Sequence, residues 1–236
     1  MVAERTEEIL FRTYVVPFLL FLGFNLLLWC VEGSYKWEHP TAPWYQQMPE
    51  LWVYALQVLV CGAYLVYVRR GAEWDFAAKP CLLGALCGVV GIGLWLIPYA
   101  AGWIPAEGGF LPEKVLGQGT GATYAAYALR FARAAVIVPF VEEWFWRGYL
   151  MRWCVNRDFP QRVPLGQGTW LSFAVVTAAF MLVHHVNDWA GAFVYGALAF
   201  GLVMYTRRLT PVIVMHAVAN LIMGVVAMTC NLPHLW

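Results

Sequence analysis

Apolar residues neither alternate nor stripe along this chain; they run on in long blocks, broken by short stretches of charge, glycine and proline. A helix needs about 20 such residues to cross the roughly 30 Å hydrocarbon core of a bilayer. Blocks of that kind cover 13–31, 51–68, 81–103, 121–144 (continuing toward 153), 169–186, 189–206 and 210–230. The fifth and sixth are divided only by the polar break from His184 to Asp188. Pro17, Pro98 and Pro139 fall inside blocks and are expected to kink their helices, which membrane helices tolerate because neighbours satisfy the freed backbone groups. The pattern predicts an all-α fold: a polytopic integral membrane helix bundle of about seven transmembrane helices. It is read as a single membrane-embedded domain over 1–236. No small-residue cleavage site follows the first block, so that block is expected to be a retained helix and not a signal peptide.

The connectors carry turn chemistry. Residues 32–50 hold Gly33, Pro40 and Pro43, with Tyr35, Trp37, Trp44 and Tyr45 suited to the headgroup level. Residues 104–120 hold Pro105, Gly108, Gly109 and Pro112. The pentapeptide Leu-Gly-Gln-Gly-Thr stands at 116–120 and again at 165–169, with unlike flanks. We read it as reused turn chemistry with each threonine as a helix cap, not as a repeat.

Composition agrees with the pattern. The chain is 61% hydrophobic and 12% charged, whereas a soluble domain is roughly 25% charged. A net charge of +1 offers nothing to nucleic acid. The six cysteines form no C-x-x-C and are expected to be small packing residues. Lysine and arginine alternate between connectors. The N-terminus (Arg5, Arg12), 69–80 (Arg69, Arg70, Lys79), 154–168 (Arg157, Arg162) and the Arg207-Arg208 turn are basic, whereas 32–50 and 104–120 hold one lysine each. By the positive-inside rule the N-terminus is cytoplasmic and the C-terminus external. Arg130 and Arg133 lie three apart inside the fourth block and are expected to face the bundle interior.

The chemistry is concentrated in a few intramembrane polar groups. Glu142, Glu143 and Arg147 follow an apolar run, where a charge at the membrane centre costs about 2.5–3.5 kcal/mol even on a lenient scale. Glu143 and Arg147 are four apart in the order that favours a helical ion pair, and Glu142 points about 100° away. One glutamate is therefore structural and the other available for chemistry. His184 and His185 close the fifth block. His216 and Asn220, four apart, share a helix face in the seventh. Ser34 and Ser172 lie in no serine-protease setting. Asp75, Asp158 and Asp188 lie near span ends or in connectors, which removes an aspartyl dyad, and no His-Glu-x-x-His occurs. Cys154 is a poor nucleophile candidate beside an arginine-rich loop. A glutamate that activates water, with histidines and an amide around it, remains.

Glu142-Glu143-x-x-x-Arg147, Phe180-x-x-x-His184 and His216-x-x-x-Asn220, in this order on membrane spans, resemble the three motifs of the CAAX protease and bacteriocin-processing family. That family comprises the type II CAAX prenyl endopeptidases and their bacterial relatives, with a multi-helix membrane fold. The resemblance covers residues 120–230. The wider chain, including Arg12-Thr13-Tyr14-Val15-Val16-Pro17-Phe18, is similar to a bacterial CAAX prenyl protease-related subgroup associated with exosortase sorting systems. The resemblance implies an intramembrane endopeptidase in a bacterial inner membrane, acting on peptide termini or membrane-anchored substrates. It makes Glu142 the general base, and His184, with His185 as the alternative, the group that positions water. His216 and Asn220 become the oxyanion site, and Glu143 with Arg147 the supporting pair. No cofactor is expected. The nearest rival is a zinc site of Glu142, His184 and His216, and a rival of another class is a silent scaffold or sorting partner.

Reporter fusions after Arg70, Lys114, Arg162 and Arg208 are expected to read inside, outside, inside and inside. An external signal at Arg162 would overturn this topology.

Overall fold

The computed structural model describes residues 2–73, 76–104, 108–230 and 232–235. Asp75 and Pro105 lie outside the described residues. Among those described there are helices and no strands. Eight helical stretches frame the protein: α1 (Val2–Tyr14), α2 (Val16–Ser34), α3 (Glu50–Val68), α4 (Ala78–Ala100), α5 (Gly121–Val155), α6 (Trp170–Leu182), α7 (Trp189–Thr206) and α8 (Thr210–Thr229). Six stretches are long and apolar enough to cross a membrane, and Glu7–Ser34, which joins the end of α1 to α2, is one of them. The chain is a multi-pass membrane protein.

Two expectations need correction. The fifth block does not form a helix over 169–186. Its helix, α6, ends at Leu182 after 13 residues, about 20 Å at 1.5 Å per residue and well short of a bilayer core. Hydropathy runs on through Val183 and Val186, but the backbone turns at 183–185 and enters a short 3₁₀ segment, Val186–Asp188. Pro17 does not kink a helix; it occupies the first turn of α2, where its missing N–H is no loss.

The two pentapeptides do start helices. Thr120 accepts from the Thr123 N–H to open α5, and Thr169 forms a reciprocal capping box with Ser172 to open α6. The second residue of each pentapeptide, Gly117 and Gly166, has positive φ, a conformation glycine adopts without steric penalty.

Arg133 turns into the bundle. Its Nε donates to Gln57 Oε1 (2.6 Å) and its Nη2 to Asn25 Oδ1 (3.0 Å), tying α5 to α3 and α2. Arg130 and Arg133 both lie over the Tyr54 ring, at 4.8 and 4.5 Å. All six cysteines are free thiols.

Helices α4 and α8 approach each other closely. A Cβ on Gly84 would strike the Pro211 main chain, and one on Gly88 the Met215 carbonyl. This is small-residue packing, in which the backbones themselves come into contact. Gly84→Ala and Gly88→Ala are each expected to lower stability by about 1–3 kcal/mol, read as an earlier thermal unfolding midpoint in detergent. Gly93→Ala, whose Cβ meets nothing within 4 Å, should not. An unchanged midpoint for both Gly84→Ala and Gly88→Ala would refute the close approach.

Candidate active site

The acidic pair sits on α5 between two widened π turns, Arg133–Ile137 and Trp144–Leu150, with ordinary α-helix from Val138 to Glu143. Pro139 accounts for part of this. In an α pattern its missing N–H would leave the Ala135 carbonyl without a donor, and an extra residue in the turn shifts the register. Such bulges occur often at functional sites. Beside the first one, the Ala134 carbonyl accepts a 2.7 Å hydrogen bond from Asn220 Nδ2 on α8.

Glu143 is the hub. It is fully buried, as is Arg147, whose Nη1 lies 2.9 Å from Glu143 Oε2 and 3.1 Å from Oε1. Arg147 also donates to the Gly196 carbonyl (3.3 Å) and stands over the Phe180 ring at 5.2 Å. From α8, His216 Nδ1 meets Glu143 Oε1 at 2.9 Å. A carboxylate only accepts, so His216 Nδ1 carries a proton and is the donor. The ion pair expected from spacing is therefore present, and it holds a histidine from 73 residues away.

His184 is arranged the same way. Its Nδ1 lies 2.7 Å from the Phe180 carbonyl, which again makes Nδ1 the donor and leaves Nε2 as acceptor. Its ring packs against Phe180 and Trp95, with centroids 4.6 and 5.4 Å away. His185 instead turns its Nδ1 to the Asn187 N–H at the start of the 3₁₀ segment.

His184, His216 and Asn220 all line one cavity of about 270 Å³. His184 just beyond the end of α6 and His216 within α8 thus reach the same space. Glu142 is not among the residues of this wall. It is 9% exposed, and its Oε2 is buried with no hydrogen-bond partner among the described residues. Tyr195, which is on the wall, lies within electrostatic reach of both Glu143 and Glu142. His185 is not on the wall.

Other wall residues were not singled out by sequence: Trp95, Tyr99, Asp188 and Tyr195. Only the i, i+4 spacing of Trp95 and Tyr99 on α4 hinted at a shared face. Among the described residues no three His, Cys, Asp or Glu side chains gather as a metal-binding group.

No curated protein and no solved structure matches the chain. Residues 124–222 match the protein family described as type II CAAX prenyl endopeptidase Rce1-like. That stretch contains all three motifs, the buried Glu143–Arg147–His216 network and the cavity-lining His184 and His216. Over residues 124–222 this membrane protein is therefore similar to the type II CAAX prenyl endopeptidases.

Proposed function

We propose that this chain is a glutamate-dependent intramembrane endopeptidase in which Glu142 activates water. One observation carries the reading: of two adjacent buried carboxylates, Glu143 is held by Arg147 and His216, whereas Glu142 makes no hydrogen bond or salt bridge among the described residues. An unpaired buried acceptor lowers stability by about 1–3 kcal/mol, so its retention points to chemistry. A silent scaffold has a use for the cavity but none for the orphaned carboxylate.

In the reaction, Glu142 takes a proton from water as the water oxygen bonds to the scissile carbonyl carbon. The same proton then passes to the departing amide nitrogen as the C–N bond breaks. His184 Nε2, an acceptor by virtue of its bond to Phe180, orients the second water hydrogen. Asn220 spends one amide hydrogen on Ala134 and has another for the oxyanion. His216, held through Nδ1 by Glu143, completes the oxyanion site with Asn220. These donors face the developing charge already oriented. The substrates are peptide termini or membrane-anchored chains in a bacterial inner membrane, with the N-terminus cytoplasmic and an exosortase-type sorting system as the candidate partner.

A zinc reading has one observation in its favour. Both histidines donate Nδ1–H to a carbonyl or carboxylate and keep Nε2 free, as metal-bound histidines do. Catalytic zinc takes three protein ligands, and no third joins them among the described residues.

Glu142→Gln is expected to lower turnover of membrane-anchored peptide reporters by about 10²–10⁴-fold with an unchanged unfolding midpoint. Glu143→Gln strands Arg147 and should destabilise the protein by about 3–5 kcal/mol, seen as loss of yield and early unfolding. Full activity in Glu142→Gln would refute the assignment of roles. Elemental analysis of purified protein should find no stoichiometric zinc; one zinc per chain, with activity lost to a chelator and restored by zinc, would replace the water-only mechanism.

A further inference from the structure

Part of the cavity wall is aromatic and acidic. Trp95 Nε1 donates to Asp188 Oδ1 at 3.0 Å, and the Tyr99 hydroxyl donates to the same oxygen at 2.6 Å. Two donors from α4 converge on one oxygen, so the carboxylate is held in one orientation. Its second oxygen, Oδ2, has no hydrogen-bond partner among the described residues. Asp188 is only half-buried, and the wall it belongs to contains no lysine or arginine. The titratable groups that share this wall are His184, His216, His234, Tyr99 and Tyr195.

A half-buried carboxylate bordered by indole and phenol rings attracts a cation through both charge-assisted hydrogen bonding and the ring faces. The same wall disfavours an anion. A peptide ending in a free carboxylate at this place would meet Asp188 and no guanidinium or ammonium to neutralise it.

We propose that Asp188, held by Trp95 and Tyr99, forms a subsite for a positively charged group of the substrate, the side chain of lysine or arginine. As a statement about cleavage this rests on the protease reading above; as a statement about binding it does not. The enzyme then favours substrates with a basic residue next to the scissile bond, and one whose C-terminal carboxylate falls at this subsite is disfavoured. Asp188 is a specificity residue and takes no part in bond making.

The test uses binding, not turnover. Acetyl-arginine amide, its neutral isostere acetyl-citrulline amide and acetyl-glutamate amide are titrated into the full chain in nanodiscs, followed by saturation-transfer NMR. The arginine probe is expected to bind about tenfold or more tightly than the citrulline probe, the range of a charged hydrogen bond. Asp188→Asn keeps an oxygen for Trp95 and Tyr99 and removes the charge, so the fold should persist and the arginine preference vanish. Asp188→Lys should transfer the preference to the glutamate probe; if that variant does not fold, the asparagine variant decides. Equal binding of arginine and citrulline, no binding of either, or an arginine preference that survives Asp188→Asn would each overturn the proposal. Failure of the protease reading shows separately, as unchanged activity in Glu142→Gln, and leaves the probe result standing.

Discussion

A carboxylate, a guanidinium and an imidazole, all withdrawn from solvent, hold this site together. Glu143 and Arg147 come from one helix and His216 from another. Removing such ions from water carries a penalty of several kcal/mol each, which mutual attraction offsets only with good geometry and further hydrogen bonds. The Gly196 carbonyl and the Phe180 ring complete the Arg147 shell. The network therefore acts as a register pin for α5, α6, α7 and α8. A slip of one residue between α5 and α8 would break the bond from His216 to Glu143, and one between α5 and α7 the bond from Arg147 to the Gly196 carbonyl.

The register is sustained by close backbone contact. Gly84 and Gly88 let α4 lie directly against the start of α8, below His216. Gly91, one turn further on, leaves room for the Tyr195 ring, which in turn stands edge-on to His216 at 5.7 Å. The two π turns on α5 serve the same end from the opposite side, placing the Ala134 carbonyl within reach of Asn220.

Much of this was legible wherever the physics is local. Block length announced most of the helices, four-residue spacing announced the Glu143–Arg147 pair, and threonine after glycine announced both caps. What depends on packing was not legible. His216 and Glu143 are 73 residues apart; spacing gave His216 only a helix face shared with Asn220, and the resemblance that implied its oxyanion role did not reveal what holds its Nδ1. The end of α6 was hidden because Val183 and Val186 extend the apolar block after the helix has stopped. Asp188 read only as a polar break, since its meaning comes from Trp95 and Tyr99 on a helix some ninety residues earlier. Glu142 and the three cavity residues share motifs and a family, but the motifs do not say which of them stand on the wall.

The shortness of α6 has a consequence for the lipid around it. Helices of 18 to 23 residues stand beside one of 13, so the apolar belt is notched by about 10 Å on that side. A bilayer meets such mismatch by thinning or by letting headgroups and water descend into the gap. His184 lies at the end of this short helix. Wetting of the cavity then becomes a property of bilayer thickness, and the same protein placed in a thicker membrane has a drier site.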